Sequence, residues 1–480
     1  MTNMTIHANL IDGEWVGGSE APNINPSNTD EVVGEYARAD AGQTAQAIAA
    51  AKAASHAWSR SGLLQRHDIL KKTAAEILAR KEELGSLLSR EEGKTLAEGI
   101  GETIRAAQIF DFFAGEALRL SGETVPSVRP GVSVEMTREA VGVVGVITPW
   151  NFPIAIPAWK IAPALCYGNT IVFKPADLVP GCSWAIVDIL HRAGLPNGVL
   201  NLVMGRGSVV GQAILDSPDV NAITFTGSVA TGKRVAAASV EHMRKFQLEM
   251  GGKNPLVVLD DADLPTAVEC AANGAFFSTG QRCTASSRLI VTEGVYDAFV
   301  AALTKRLEGL VVDDAMKEGA HIGPVVDQSQ LDQDMSYIEI GQSEGAKLAF
   351  GGARLQRATP GFYLQPALFT ECTNDMRISR EEIFGPVAST IRVKDYDEAL
   401  AVANDTPFGL SAGICTQSLK YATDFKRNSE AGMVMVNLPT AGVDFHVPFG
   451  GRKSSSYGPR EQGRYAAEFY TTVKTAYTSA

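Results

Sequence analysis

The pattern of hydrophobic and polar positions changes character once along the chain. Three early stretches carry alanine, leucine and paired charges at helical spacing with few breakers, which predicts helices over 41–58, 64–79 and 81–114. From Val141 the pattern becomes one of short apolar runs separated by helical stretches. Fully apolar strands that alternate with helices are typical of a parallel sheet covered on both faces. The later part of the chain is therefore predicted to be α/β.

These apolar runs form two series. The first is V-G-V-V-G-V-I-T from Val141, then T-I-V-F-K, V-L-N-L-V-M, A-I-T-F-T and K-F-Q-L-E-M, which ends at Met250. The second has runs near Leu256, Arg288, Ala388 and Gly432. We therefore predict two doubly wound α/β domains that meet near Gly251 and Gly252.

Two further segments, 131–140 and 469–477, alternate polar and apolar residues as half-buried strands do. We expect them to pair as a small sheet that packs against another subunit of a homodimer or homotetramer. The predicted division is a first domain over 1–121 and 142–250, a second over 251–460, and an oligomerisation element over 122–141 and 461–480.

Composition and charge exclude several classes of protein. The chain has 480 residues with 43 Lys plus Arg and 54 Asp plus Glu, a net charge of -11, which argues against general nucleic-acid or anionic-membrane binding. Its most apolar region, 141–173, is broken by several prolines and Lys160, so we expect no membrane span. The segment Met1 to Asn9 lacks the pattern of a secretory signal.

The six cysteines are too sparse for a disulfide scaffold. None forms a C-x-x-C pair or lies near a histidine at metal-ligand spacing, so no metal site is predicted. We therefore expect a protein of the reducing cytoplasm that acts on a small molecule and has no nucleic-acid or membrane partner.

Polar and glycine-containing segments directly follow four predicted strands. They are T-P-W-N-F-P from Thr148, K-P-A-D from Lys174, T-G-S from Thr226 and E-M-G-G-K from Glu249. A doubly wound sheet binds ligands at the carboxyl ends of its strands, where all four would lie. Each segment also has an ordinary structural interpretation as a helix cap, a turn or an exposed acid beside a turn.

Cys283 lies in T-G-Q-R-C-T-A-S-S-R, and a single cysteine is most often a small buried hydrophobe. However, T-P-W-N-F-P, E-M-G-G-K, G-Q-R-C and E-E-I-F-G-P appear here in the order found in aldehyde dehydrogenases. From about Ile11 to Tyr477 the chain resembles that superfamily. The resemblance implies an aldehyde dehydrogenase-like α/β fold in which the first domain binds NAD(P) and the second is catalytic.

The resemblance also implies the chemistry. Cys283 would attack the aldehyde to form a thiohemiacetal, which expels hydride to a nicotinamide ring and leaves a thioester. Asn151 and the backbone N–H of Cys283 would stabilise the alkoxide, and Glu249 would activate the water that cleaves the thioester. A free thiol is mostly protonated at neutral pH, so we expect activation of Cys283 by a helix N-terminus or a cation. We expect apolar surroundings to raise the pKa of Glu249.

The same resemblance assigns the cofactor side. Lys174 would bind the adenosine ribose between Gly207 and Gly211, while Gly227 and Ser228 open a helix that faces the pyrophosphate. Glu382 would bind the nicotinamide ribose, Phe384 would lie beside the ring and Trp150 would line the cleft. The remaining predicted cofactor-binding residues are Ile147, Thr148, Pro149, Pro175, Ala176, Phe225, Met250 and Gly251.

Asp177 stands where glutamate is common in the family. A carboxylate there can accept from a ribose 2′-hydroxyl and would repel a 2′-phosphate, which favours NAD. Because the aspartate side chain is shorter, NADP remains possible.

The segment 432–463 is most similar to that of bacterial α-ketoglutaric semialdehyde dehydrogenases, which implies oxidation of α-ketoglutaric semialdehyde to 2-oxoglutarate. The alternatives are a succinic semialdehyde or broad-range aldehyde dehydrogenase, although Trp159 stands where many of the former carry an arginine for the substrate carboxylate. We expect Arg282 to bind that carboxylate, with an ordinary ion-paired arginine as the alternative. The loop around Asp444 and His446 is a second candidate for lining the substrate pocket.

Two functions of a different class also fit the residues: a non-redox thiol esterase that uses Cys283 and Glu249, and a structural protein on the same fold. Reduction of a nicotinamide cofactor by an aldehyde would exclude both.

Overall fold

The structure is a computed structural model that describes residues 6–479, so residues 1–5 of the polar N-terminal segment and Ala480 lie outside the described part. The helices are α1 (Ala41–Ser59), α2 (Leu63–Ala79), α3 (Lys81–Glu92), α4 (Leu96–Ala117), α5 (Ala155–Cys166), α6 (Pro180–Arg192), α7 (Gln212–Asp216), α8 (Val229–Glu241), α9 (Leu264–Phe276), α10 (Glu293–Glu308), α11 (Gln328–Ser343), α12 (Arg377–Arg380), α13 (Tyr396–Asn404), α14 (Leu419–Asn428) and α15 (Ala467–Tyr470). Short 3₁₀ turns cover Phe277–Gly280, Lys453–Ser455 and Arg464–Ala466, and a π turn covers Gly207–Gly211.

The strands are β1 (Ile6–His7), β2 (Asn9–Ile11), β3 (Glu14–Val16), β4 (Ser19–Asn25), β5 (Asn28–Arg38), β6 (Glu123–Pro126), β7 (Val132–Ala140), β8 (Val143–Ile147), β9 (Thr170–Lys174), β10 (Leu200–Leu202), β11 (Ala222–Thr226), β12 (Lys245–Glu249), β13 (Pro255–Val258), β14 (Arg288–Thr292), β15 (Lys347–Phe350), β16 (Ala367–Cys372), β17 (Val387–Val393), β18 (Ser411–Cys415), β19 (Met433–Val436), β20 (Ser456–Tyr457) and β21 (Thr471–Ser479).

The first large sheet has the order β20-β12-β11-β8-β9-β10-β2-β3, and its five central strands, β12 to β10, are mutually parallel. They are the five apolar runs of the first predicted series. Both faces are covered: Ile171 and Phe173 of β9 pack in the apolar cluster that contains α5, whereas Val172 between them packs with α1. Side chains of a strand alternate between faces, so a run of apolar residues is the expected pattern here.

The second large sheet has the order β15-β16-β17-β14-β13-β18-β19 and is parallel except for β15 at its edge. Its first strand begins at Pro255, directly after β12 ends at Glu249. The prediction of two α/β sheets is therefore confirmed. The sequence pattern did not predict that β20 returns to the first sheet, where it pairs antiparallel with β12 and sets Ser456 opposite Glu249. A two-residue strand is too short to show a period.

The third predicted helix, 81–114, is wrong as a single element. Helix α3 ends at Glu92 because Gly93 follows with φ +98°, a left-handed conformation that glycine adopts without steric cost. Helix α4 then begins after Thr95, whose side chain and backbone N–H both contact Glu98 in a capping box. The break turns Lys94 into the protein interior, where its side chain is 2% exposed.

Strands β21, β7 and β6 form a separate small sheet, in which β21 and β7 pair antiparallel over nine residues. The pairing of these two distant segments is therefore confirmed. Val473 and Tyr477 on β21 are exposed. The role of this sheet in subunit assembly remains a prediction.

Within residues 6–479, no helix is long and apolar enough to cross a membrane. Over the same range, no cluster of three or more His, Cys, Asp or Glu side chains has an arrangement that could hold a metal ion.

Candidate active site

Cys283 lies between two cavities and contributes to the lining of both. One cavity has a volume of about 280 Å³ and the other about 330 Å³. Cys283 is reached from α9 through a 3₁₀ turn that contains Ser278 at φ +49° and Thr279 at φ +56°. A left-handed conformation costs a residue other than glycine about 1 to 3 kcal/mol, so it persists only where its surroundings enforce it.

The surroundings of this turn do enforce it. The backbone N–H and Oγ of Ser278 donate to Glu98 Oε1 at 2.9 and 2.8 Å, and Thr279 Oγ1 donates to the carbonyl of Gly323 at 3.2 Å. Beyond the turn, Asn254 Nδ2 donates to the carbonyl of Cys283 at 2.8 Å. The backbone around Cys283 is therefore fixed from both sides.

Asn151 adjoins Cys283 in the larger cavity. It lies in the loop after β8 and is buried, and its Nδ2 donates to the backbone carbonyl of Gln281 at 3.0 Å. The Nζ of Lys94 donates to the carbonyl of Asn151 itself. The structure thus brings Cys283 and Asn151 into the lining of one cavity. The side-chain amide of Asn151 is held by the carbonyl of Gln281, two residues before Cys283.

Glu249, at the end of β12, is buried close enough to Cys283 for its charge to act on the thiol, and it is not among the residues that line either cavity. Its Oε2 accepts from Ser456 Oγ at 2.5 Å. Burial raises its pKa well above the ordinary range, and the negative charge of Glu461 raises it further. The pKa shift that was expected for a base is therefore present.

Glu461 belongs to a buried network that sequence reasoning missed. It accepts from Trp159 Nε1 at 2.7 Å and from Lys160 Nζ, which also donates to Thr224 Oγ1 at 2.7 Å. A signal for this network existed, because Lys160 is the one charged residue in the otherwise apolar helix α5. A buried lysine needs a buried acid, but the sequence cannot say which of 54 acidic residues supplies it.

Of the two expected ways to activate Cys283, the helix N-terminus is wrong for this structure, whereas activation by a cation stays a prediction. Burial raises the pKa of its thiol to about 12, and the carboxylates of Glu249 and Glu382 raise it as well. Cys283 follows a 3₁₀ turn and does not stand at a helix N-terminus. The thiol therefore needs an acceptor for its proton before it can attack.

The 330 Å³ cavity contains eight of the predicted cofactor-binding residues. They are Pro149, Trp150, Gly227, Ser228, Met250, Gly251, Glu382 and Phe384. Trp150 and Phe384 meet edge to face with centroids 5.3 Å apart. Burial raises the pKa of Glu382 to about 7, and this carboxylate accepts from the backbone N–H of Gly252 at 2.9 Å.

The cavity fits a dinucleotide in two respects. A Cβ at Gly251 would collide with the Glu382 carboxylate, so this carboxylate keeps its present position only beside a glycine. Ser228 is the N-cap of the 13-residue helix α8, whose first N–H groups face the cavity end and favour a phosphate. Sequence reasoning missed Gln330 and Gln333 of α11, which line the cavity and donate to the carbonyl of Ile383 at 3.0 and 2.7 Å.

The other predicted cofactor residues lie beyond this cavity, around the ends of β8, β9 and β11. Lys174 runs beside Gly207 and Gly211, where added Cβ atoms would lie 4.0 and 3.8 Å from its side chain. Burial lowers the pKa of Lys174 to about 8, and its Nζ donates to Pro175 O at 2.8 Å. The remaining positions are strand ends and their loops: Ile147, Thr148, Ala176 and Phe225.

Asp177 is held by Arg38, whose Nε and Nη2 donate to the two carboxylate oxygens at 3.1 and 2.7 Å. Because a guanidinium matches its charge, Asp177 repels a 2′-phosphate less than the sequence predicts. Arg38 was missed because it lies 139 residues earlier in the chain.

The 280 Å³ cavity on the other side of Cys283 contains Trp159 and Arg282 of the predicted substrate residues. Arg282 Nη2 donates to Glu98 Oε1 at 3.2 Å and to Ser278 Oγ at 2.8 Å. These contacts favour the alternative interpretation, that Arg282 is an ion-paired arginine. The lining reaches Ala441, Gly442 and Val443, whereas Asp444 and His446 in the same loop are exposed and are not among the lining residues.

Most of the residues that line this 280 Å³ cavity were not predicted from the sequence. Its unpredicted members are Lys94, Glu98, Gly101, Glu102, Arg105, Phe152, Asn273, Ser278, Thr284, Ala441, Gly442, Val443 and Phe449. Many of them come from α4 and the residues just before it, in a region whose periodicity indicated only a helix.

The chain matches the aldehyde dehydrogenase family over residues 15–476. It is 45% identical to the alpha-ketoglutaric semialdehyde dehydrogenase of Bacillus subtilis, with 99% of each chain covered. It superimposes with a TM-score of 0.97 on an NAD-dependent aldehyde dehydrogenase from Sinorhizobium meliloti, at 36% identity and with 99% of this chain and 95% of that one covered. An NADP-dependent enzyme of E. coli gives a TM-score of 0.96 at 34% identity, with coverage of 100% and 99%. Since the family match, the full-length similarity and the fold agree, the chain belongs to the aldehyde dehydrogenase family.

Proposed function

We propose that this protein oxidises α-ketoglutaric semialdehyde to 2-oxoglutarate, with NAD as hydride acceptor and NADP as an alternative. The observation that carries the proposal is the position of Cys283, the one predicted catalytic residue that borders both cavities. A thiol placed there can meet an aldehyde from one side and a nicotinamide from the other. The substrate is inferred from the 45% identical Bacillus subtilis enzyme.

In this mechanism Cys283 Sγ forms a bond to the aldehyde carbon, and the thiol proton leaves to a basic group. The resulting alkoxide accepts hydrogen bonds from Asn151 Nδ2 and from the backbone N–H of Cys283. One N–H of Asn151 Nδ2 donates to Gln281 O at 3.0 Å in this structure, and its second N–H is the donor for the alkoxide. When bound, NAD(P) supplies the acceptor for the hydride that the carbon then loses.

Glu249 removes a proton from the water that attacks the thioester, and the carboxylic acid and free Cys283 are released. A carboxylate whose pKa is raised by burial and by Glu461 is a stronger base than an exposed one. Because Glu249 is held by Ser456 and lines neither cavity, its side chain must turn toward the thioester in this step. We assign Ser456 as the group that holds the base between turnovers.

We also propose the domain division that the sequence predicts: a cofactor domain over 1–121 and 142–250, a catalytic domain over 251–460 and an oligomerisation element over 122–141 and 461–480. The sheet of β21, β7 and β6 supports a homodimer or homotetramer, because Val473 and Tyr477 leave apolar surface exposed on it. Sedimentation of the purified protein measures the state. The six free cysteines support a reducing compartment, the cytoplasm.

The test is a substrate panel: α-ketoglutaric semialdehyde, succinic semialdehyde and pentanal, each with NAD and with NADP, followed by nicotinamide absorbance. We expect the highest kcat/KM for α-ketoglutaric semialdehyde. A higher value for succinic semialdehyde would change the assigned substrate. Ester hydrolysis without reduction of either cofactor would instead indicate a thiol esterase.

A further inference from the structure

The charges that line the substrate cavity are not balanced. The lining contains three cations, Lys94, Arg105 and Arg282, and two acids, Glu98 and Glu102. Arg282 pairs with Glu98 at 3.2 Å and Lys94 pairs with Glu102 at 2.8 Å. No acid of the described residues comes within ion-pair distance of Arg105. Arg105 is therefore the cation of this lining that has no carboxylate of residues 6–479 within ion-pair distance, although the charges of Glu102 and Asp444 act on it from farther away.

The hydrogen bonds of Arg105 also leave part of its guanidinium without a partner. Its Nη2 donates to Gln462 Oε1 at 3.1 Å. Its Nε is buried without any acceptor, and over residues 6–479 its Nη1 makes no hydrogen bond. A guanidinium has five N–H donors in a planar fork, and this one retains its charge even though burial lowers its pKa. Buried donors without acceptors are uncommon in folded proteins and call for an explanation.

The position of Arg105 suits one end of an extended substrate. Its guanidinium lies over the indole of Trp159, 5.6 Å from the ring centroid, and the indole is itself fixed by its 2.7 Å hydrogen bond to Glu461. Phe449 packs against the same indole with centroids 5.5 Å apart. The cavity thus combines an apolar wall with a single charged fork, an arrangement that matches a short carbon chain ending in a carboxylate.

We propose that Arg105 is the residue that binds the distal carboxylate of the substrate. Two N–H groups of a guanidinium can donate in parallel to the two oxygens of a carboxylate. Arg282, in contrast, holds the turn before Cys283 through Glu98 and Ser278. This inference rests on the proposed function in one respect, since it assumes an aldehyde that carries a carboxylate.

The test compares Arg105→Ala and Arg105→Lys with the unchanged protein, on α-ketoglutaric semialdehyde and on pentanal, which has the same chain length and no charge. Loss of a charge-assisted bidentate contact should lower kcat/KM for the semialdehyde about 10- to 100-fold in Arg105→Ala. Arg105→Lys should recover part of that loss, because a lysine keeps the charge but not the fork. The kcat/KM for pentanal should stay within about twofold, which also shows that the variants fold.

Two controls separate the arginines. Arg119→Ala removes a cation just after α4, and the side chain of Arg119 is 68% exposed. This variant should leave kcat/KM unchanged for both substrates. Arg282→Ala should lower kcat/KM for both substrates by similar factors, because it loosens the backbone before Cys283. A second readout needs no turnover: the dissociation constant of 2-oxoglutarate, measured by calorimetry, should rise about 10- to 100-fold in Arg105→Ala.

The outcomes distinguish the two proposals. If the unchanged protein prefers the semialdehyde and Arg105→Ala keeps that preference, the role of Arg105 is wrong and the proposed function stands. If the unchanged protein shows no preference for the semialdehyde over pentanal, the proposed substrate is wrong and the carboxylate role of Arg105 is overturned with it. Equal losses on both substrates in Arg105→Ala would likewise overturn the role in carboxylate binding.

Discussion

The two cavities that meet at Cys283 are built from different parts of the sequence. The cofactor side consists largely of the turns at strand ends, such as T-P-W-N-F-P and E-M-G-G-K, and of backbone that must pass close to Glu382. The substrate side consists of side chains from α4, α5 and the loop at 441–443. The cofactor side can be recognised from short sequence motifs. The substrate side depends on which long side chains face into the cavity, and no short motif specifies them.

This difference has a functional meaning. A cofactor shared by many enzymes requires a constant shape, so backbone and small residues define it. A substrate that differs between enzymes is selected by side chains on helices and loops, which can change without disturbing the strand ends. The predictions that follow test how far the two sides act independently.

The largest effect is expected for Cys283→Ala, the change at the boundary of both cavities. Aldehyde oxidation should be abolished because no other group can form the thiohemiacetal. NAD binding should persist, since the other residues that line the cofactor cavity are unchanged. Nicotinamide absorbance and calorimetric titration of NAD measure the two properties. Residual turnover comparable with that of the unchanged protein would contradict the assignment.

Glu249→Gln should reduce steady-state turnover about 10²- to 10⁴-fold, the range for removal of a general base. The loss should fall on thioester hydrolysis, because only that step requires an activated water. A rapid burst of NADH under single-turnover conditions, together with an acyl adduct on Cys283 seen by mass spectrometry, would confirm this. Without a burst or an adduct, Glu249 would have to act earlier, as the acceptor of the Cys283 proton.

The pH dependence of Cys283 alkylation should show how strongly burial and the surrounding carboxylates suppress the thiolate. Since the pKa is raised to about 12, the thiol is protonated at neutral pH, and its thiolate fraction grows about tenfold for each pH unit below that value. Iodoacetamide labelling of the free enzyme should therefore accelerate about 100-fold from pH 7 to pH 9. A plateau in that range would indicate a lower pKa. Because the other five cysteines are buried, labelling reports on Cys283.

The smallest effect is expected at the adenosine end. Arg38→Ala leaves the carboxylate of Asp177 without its guanidinium partner, so repulsion of a 2′-phosphate should increase. The side chains of Arg38 and Asp177 are each 30% exposed, and ion pairs this exposed contribute about 1 kcal/mol or less to stability. Affinity for NADP should fall about fivefold while affinity for NAD changes little, as measured by calorimetry. An equal change for both cofactors would remove Arg38 from discrimination.

Sequence reasoning recovered the fold and the motif residues but not the supports of the site. Parallel strands follow a local period, so their ends could be predicted, whereas Cys283, Asn151 and Glu249 were assigned from the resemblance of their motifs to those of aldehyde dehydrogenases. The supports are long-range: Arg105 is anchored by Gln462, 357 positions away, and Glu461 lies 301 positions from Lys160. No local pattern encodes such pairs. The single substrate arginine chosen from the sequence, Arg282, was chosen for its proximity to Cys283 in the chain, whereas in space its charge is already used by Glu98.

The pairing of β20 with β12 has a consequence for the order in which the protein folds. Ser456 contacts Glu249 across 207 positions of chain, and all the strands of the second sheet lie between the two residues in sequence. Contacts between residues so far apart form late, because a long loop must close first. Until β20 pairs with β12, Glu249 lacks its hydrogen bond from Ser456. Formation of the Ser456–Glu249 contact is therefore a late, long-range step that follows the pairing of neighbouring strands in the two large sheets.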